Sequence, residues 1–253
     1  MSQETLQVAK ANYGLDAPGL VRNFLLGGGG LTVAGLIVVT WGLNSSNTLT
    51  TTIALTAGIM LLITGLSFLF TGGMMLWSSF SGKMHARDHL LDGLGLTGDE
   101  TVLDVGCGRG LLLIGAAKRL PRGRALGIDL WSQEDLGDNS KSATLSNARV
   151  EGVLDRIEVV DGNMRKMPFD DATFDAVVAN LAIHNIYNRD GRREALREIV
   201  RVLKPGGKVA LMDFEHVKEY GEDLRGIGMQ DVNVSGRSFW IYPPVRVVRG
   251  VKR

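Results

Sequence analysis

Leu103-Asp104-Val105-Gly106-Cys107-Gly108-Arg109-Gly110 is the stretch of this chain best suited to hold a ligand. An apolar run, Thr101–Val105, enters it and a helical pattern, Leu111–Leu120, leaves it. The spacing predicts a strand, a tight turn and a helix start. Gly106, Gly108 and Gly110 leave the backbone bare where a ligand must approach, and the helix start offers N–H groups without helical partners. A dinucleotide fingerprint reads G-x-G-x-x-G. Here Leu111 follows Gly110, so the third glycine comes one place early. Asp104 stands just before the loop, where a carboxylate repels a pyrophosphate and suits a ligand carrying an ammonium group. Cys107 is the single cysteine. It excludes a disulfide framework, and a small filler is its simplest structural role.

Further candidates follow in order. Asp129, with Leu130 beside it, closes the run Gly127-Ile128-Asp129 and lies 19 residues past Gly110. A carboxylate there accepts ribose hydroxyls, whichever adenosine cofactor is bound, or caps the next turn. Asp161-Gly162-Asn163-Met164 is followed by Met167-Pro168-Phe169. The run Val178-Ala179-Asn180 leads to Leu181-Ala182-Ile183-His184-Asn185. A helical pattern then ends in Lys204-Pro205-Gly206-Gly207, where proline stops the helix and glycine supplies a turn.

These motifs, in this order across Thr101–Phe214, resemble the class I S-adenosylmethionine-dependent methyltransferases, in particular the branch with the ubiquinone and menaquinone C-methyltransferases. The resemblance implies S-adenosylmethionine as cofactor, held by Asp104, Gly106, Cys107, Gly108 and Gly110, with Asp129 and Leu130 at the ribose. It puts Asn163 at the adenine amino group, where the family carries an acidic residue, with Met164 packed on the ring. Asn180 supports the methionine part. His184 is the first candidate for a base near the acceptor and His216 the second; no metal ligands are implied. The chemistry is in-line attack of an acceptor on the sulfonium methyl. A nicotinamide-dependent oxidoreductase and a non-catalytic cofactor-binding scaffold are the alternatives.

The elements that must position these residues alternate. Strands are expected at Thr101–Val105, Ala125–Leu130, Ile157–Asp161, Phe174–Asn180 and Lys208–Phe214, with helices over 111–120, 141–152 and 192–203. Such alternation predicts a Rossmann-like, doubly wound, mostly parallel α/β sheet of seven strands. Asp231–Val234 and Val245–Val251 form an antiparallel C-terminal hairpin, and the intervening Glu215–Met229 is too short for a large lid. Phe239, Trp240 and Tyr242 in that hairpin either line an apolar pocket or close the sheet edge. A helix over 79–94, carrying Phe80, His85 and His89, leads into the domain. Glu134, Asp135 and Asp138 form a solvated acidic loop.

The chain has 253 residues and a formal charge of +1, so nothing calls for nucleic acid. Yet no Asp, Glu, Lys or Arg occurs between Arg22 and Lys83 in a chain that is 22% charged. Two apolar runs, 24–43 and 53–77, each reach the roughly 20 residues that cross a hydrocarbon core. They predict a transmembrane hairpin, with the four glycines 27–30 giving the first span an irregular start. Lys10, Arg22, Lys83 and Arg87 flank the runs and the loop between has no cation, which places both ends in the cytoplasm. The expected organisation is a cytoplasmic segment 1–22, a hairpin 23–82 and a methyltransferase domain 83–253. The domain faces the cytoplasm from the inner membrane and takes a small or lipid-soluble acceptor. Gly58, Gly65 and Gly72 recur every seven residues, as in a close helix-packing face, and the membrane helices offer a route to a homo-oligomer.

Overall fold

The computed structural model describes residues 10–132 and 139–253; the acidic loop expected at 134–138 lies outside them. The described residues fold as two units, residues 15–81, and residues 10–14 together with those from Gly82 onward.

The smaller unit is two antiparallel helices, α1 (Pro18–Leu43) and α2 (Thr48–Trp77). Proline at the first turn presets the backbone of α1, and the Asn47 side chain caps α2 by accepting from the amides of Leu49 and Thr50. Helix α1 therefore begins before the four glycines and runs regularly through them, a correction to the irregular start expected there. The buried positions are Val21, Gly28, Gly35 and Gly42 on one helix and Ala54, Gly58, Gly65, Gly72 and Met75 on the other. A Cβ on Gly28 would stand 2.9 Å from the carbonyl of Gly65, and one on Gly35 2.9 Å from that of Gly58. The glycine face is thus consumed inside the hairpin. The outward face is apolar, with Leu26, Ile37, Ile53, Met60, Ile63 and Phe70 each more than 60% exposed.

The larger unit is built on a seven-stranded sheet of order β3-β2-β1-β4-β5-β7-β6. Its strands are β1 (Thr101–Val105), β2 (Arg124–Asp129), β3 (Ile157–Asp161), β4 (Phe174–Asn180), β5 (Leu203–Asp213), β6 (Gln230–Val234) and β7 (Arg246–Val251). All pairs are parallel except those of β7 with β5 and β6. Helices α3 (Lys83–Asp92), α4 (Leu111–Arg119), α5 (Lys141–Val150), α6 (Arg189–Val202) and α7 (Val217–Gly226) complete it. Neighbours on β1 serve opposite faces: Val102 belongs to the buried cluster that holds Leu90, Leu91 and Leu113, and Leu103 to the one that holds Phe174, Leu196 and Ile199. Burial on both faces is why the strands read as continuous apolar runs.

Three of the differences from the sequence reading have an identifiable local structure behind them. Asn188 accepts the amide of Gly191 at 2.7 Å, so α6 starts at Arg189 and not at Arg192. The helix expected over 79–94 is a π-helical turn, Ser78–Gly82, followed by α3. Lys204–Gly207 is not a free turn. Leu203 pairs with Phe174 and Lys208 with Ala176, so the intervening residues bulge within β5. Gly206 takes a φ of +79° there and its amide donates to Lys252.

Candidate functional site

The carboxyl ends of β1, β2, β4 and β5 leave the sheet side by side, where the strand order reverses around β1 and β4. Gly106, Gly108 and Gly110 follow β1 with φ of +71°, +49° and +87°. Trp131 after β2, Leu181 after β4 and His216 after β5 also adopt positive φ, at +61°, +52° and +57°. Side chains rarely tolerate that conformation, and its clustering at strand ends marks a backbone shaped for function. Sequence reasoning found only the glycine part, because the other residues give no compositional signal.

Asp104, at the end of β1, is 2% exposed and accepts the amide of Leu113 at 2.8 Å. Burial pushes its carboxyl up to about 8, against the lowering influence of that amide and with a further push from Asp129. Gly106 sits under β4: a Cβ on it would stand 2.4 Å from that of Ala182 and 3.5 Å from the terminal methyl of Met164. The loop, Met164 and the start of the segment after β4 therefore converge. Cys107 turns inward: a Cβ on Gly127 would stand 2.7 Å from its sulfur, and burial raises its thiol well above the ordinary range. Its side chain fills space between loop and β2 as a neutral thiol.

Asp129 spans the loop and its own turn. Oδ2 accepts the amide of Gly108 at 2.7 Å and Oδ1 that of Trp131 at 2.6 Å. A longer third bond comes from Nδ2 of Asn139 to Oδ1 at 3.4 Å; an ionised carboxylate has about four acceptor positions, so these bonds leave room for the ribose. Leu130 is 64% exposed beside it. Trp131, assigned no role from sequence, donates its indole N–H to Asp161 at 2.7 Å and bridges the ends of β2 and β3. Asn163 is exposed, and its Oδ1 accepts the amide of Arg165 at 2.9 Å. That oxygen, expected to meet an adenine amino group, already closes a local turn and keeps one lone pair. Asn180 differs: its Oδ1 is buried and has no hydrogen-bond partner among the described residues. A buried acceptor without a donor fits a ligand that brings an N–H, such as an ammonium group.

The two histidines separate. His184, on a short 3-10 turn after β4, places Nδ1 2.8 Å from Oδ1 of Asp213 at the end of β5. Nδ1 has no hydrogen-bond partner among the described residues, so the two atoms lie close without a formed hydrogen bond. Asp213 is 1% exposed and further accepts the backbone amides of His184 at 3.2 Å and Phe214 at 2.9 Å. Tyr220 reaches it at 3.4 Å, with a phenol that burial and the carboxylate keep protonated. The His184 ring lies 4.5 Å from that of Phe214. His216 instead starts α7, with Nε2 3.5 Å from Glu215. Of the aromatic residues in the C-terminal hairpin, Trp240 stacks on His85 at 4.6 Å and Phe239 is 64% exposed. Among the described residues no group of three or more acidic, histidine or cysteine side chains is placed to hold a metal.

Residues 103–211 match the family model described as a methyltransferase domain. That stretch carries a methyltransferase domain. It is 33% identical over 135 residues to sterol 4-C-methyltransferase strm-1 of Caenorhabditis elegans, covering 53% of this chain and 37% of that protein. It is 33% identical over 141 residues to the ubiquinone/menaquinone biosynthesis C-methyltransferase UbiE of Chromobacterium violaceum, covering 54% of this chain and 53% of the relative. The chain thus spans about half or less of the length of these relatives. A SAM-dependent methyltransferase structure from Aquifex aeolicus shares the methyltransferase fold at a TM-score of 0.54 and 21% identity, over 68% of this chain and 92% of that one. The family match leaves the oxidoreductase alternative without support.

Proposed function

We propose that this chain is a membrane-anchored methyltransferase that moves a methyl group from S-adenosylmethionine to a lipid-soluble acceptor, with its domain on the cytoplasmic side. The observation that carries the reading is the unpartnered, buried Oδ1 of Asn180 beside a glycine loop that Asp129 holds by the amide of Gly108. Together they offer acceptors for an ammonium group and for ribose hydroxyls. The names of the relatives, which act on sterol or quinone precursors, support an apolar acceptor.

The hairpin supports the anchor. At about 1.5 Å per residue, helices of 26 and 30 residues extend roughly 39 and 45 Å, beyond the ~30 Å of a hydrocarbon core. Hydroxyls of Thr40, Thr52, Thr56, Thr64 and Ser67 each donate to a carbonyl one turn back. That satisfies them where water is absent.

When bound, S-adenosylmethionine would supply an activated sulfonium methyl whose leaving group is a neutral thioether. The domain's own work is alignment and one proton. Nε2 of His184 takes the proton that an O–H, N–H or acidic C–H acceptor gives up as it gains the methyl. Asp213, held by two backbone amides and Tyr220, stabilises the resulting imidazolium. Phe214 gives the acceptor side an apolar wall.

The test uses the full chain in detergent. His184→Ala is expected to bind S-adenosylhomocysteine as the wild type does and to transfer labelled methyl to a membrane lipid extract at least tenfold more slowly. An unchanged rate removes His184 from the mechanism. Absence of S-adenosylhomocysteine binding in the wild type overturns the cofactor reading, and recovery of the chain in the soluble fraction without detergent overturns the anchor.

A further inference from the structure

The glycine loop is held from outside by two side chains one helical turn apart on α5. Thr144 donates its hydroxyl to the carbonyl of Gly108 at 2.6 Å, and Asn147 donates Nδ2 to that of Arg109 at 2.9 Å. Both are buried, at 0% and 5% exposed. A helix that offers polar groups at positions three apart presents them on one face.

Asn147 does more than hold the loop. Its Oδ1 accepts the backbone amide of Asn12 at 2.8 Å, and its Nδ2 also donates to the carbonyl of Asn12 at 2.9 Å. The same carbonyl accepts Nε of Arg109, a residue of the loop, at 2.8 Å. One step on, Tyr13 is 9% exposed and its phenol reaches Glu151 at 3.3 Å. Nζ of Lys83, which is 5% exposed, donates to the carbonyls of Tyr13 at 3.1 Å and Gly14 at 2.6 Å. Lys83 is the first charged residue after the uncharged hairpin sequence, and Gly14 lies just before that hairpin.

We infer that Asn147 is a positioning residue for the cofactor loop, and that residues 12–14, the chain leading into the membrane hairpin, are a working part of the cradle. The inference rests on the cofactor reading of the loop. A buried amide with its oxygen and nitrogen both engaged leaves little freedom to either partner. Through it, the carbonyl of Arg109 and both backbone groups of Asn12 share one fixed point. Removing the point frees the loop and the hairpin lead together. An isolated soluble domain cut after the hairpin would lack the lead.

The experiment measures hydrogen exchange of the peptide covering 106–113 in the full chain, without ligand, and in parallel its affinity for S-adenosylhomocysteine. Asn147→Ala is expected to speed exchange in that peptide at least tenfold, to leave the strand peptide 203–213 unchanged, and to weaken S-adenosylhomocysteine at least tenfold. Asn12→Pro removes the backbone N–H that Asn147 accepts, together with the side-chain oxygen that accepts the amide of Gly14, while leaving Asn147 in place, and the same direction is expected for it. Should Asn147→Ala unfold the domain, Thr144→Val replaces it, with faster exchange at 106–110 expected. Unchanged exchange in these variants overturns the inference. Acceleration in Asn147→Ala but not in Asn12→Pro overturns the part played by the hairpin lead. Acceleration in a chain whose wild type binds no S-adenosylhomocysteine leaves the clamp standing and overturns the cofactor reading instead.

Discussion

Asp104→Asn isolates a carboxyl whose ionisation is strongly displaced by burial. The carboxyl titrates near 8 in the fold and near 3.8 as an unperturbed side chain, because burial disfavours the charge. Between these values the unfolded chain has released a proton that the folded chain keeps. The contribution of Asp104 is therefore fully present below about pH 4 and is lost as pH rises towards 8. Each pH unit inside the window is worth at most about 1.4 kcal/mol. From pH 5 to 7.5 the upper bound is thus about 3.4 kcal/mol. Asparagine has nearly the same shape, its carbonyl still accepts the amide of Leu113, and it cannot titrate. Thermal or chemical unfolding of both full chains in the same detergent measures the difference between them, which cancels the background of all other groups. The wild type is expected to lose up to about 3 kcal/mol relative to Asp104→Asn over that range. Parallel stability–pH curves would refute the reasoning. A second arm adds S-adenosylhomocysteine. If its ammonium group meets Asp104, binding expels the proton, so affinity is expected to rise from pH 6 to 7.5 in the wild type and stay level in the variant.

Two further substitutions test packing. Gly65→Ala puts a Cβ 2.5 Å from the Thr32 hydroxyl and is expected to cost the hairpin about 1–3 kcal/mol, whereas Gly29→Ala, with nothing within 4 Å, is expected to be harmless; melting curves of the full chain in detergent compare them. Phe174→Ala empties a site that is 0% exposed and edge-on to Phe169 at 5.0 Å, for an expected loss of roughly 3–5 kcal/mol in denaturant unfolding.

The positions of the strands and the strand–loop–helix unit at 101–119 were legible because two-sided burial writes continuous apolar runs and turns demand glycine. The boundary of α6 was misplaced because a single cap, Asn188, outweighed the apolar pattern that begins later. The glycines at 27–30 read as a flaw in a helix. In the hairpin Gly28 is a contact point against α2, a fact that depends on the partner helix. At the site, His184 was visible as a polar residue at a strand end, but Asp213 was not, since it comes 29 residues later on the neighbouring strand.

The residues alone determined the family resemblance, the glycine loop with its acidic neighbour, and an uncharged segment long enough for two spans. Each of these is local, set by neighbours along the chain. Only the tertiary structure decided which histidine meets a buried carboxylate, that the hairpin spends its glycines on itself, and that Asn147 ties the loop to the chain before the hairpin. Those contacts join residues up to 135 positions apart. Their geometry follows from sheet order and helix packing, which no local pattern encodes.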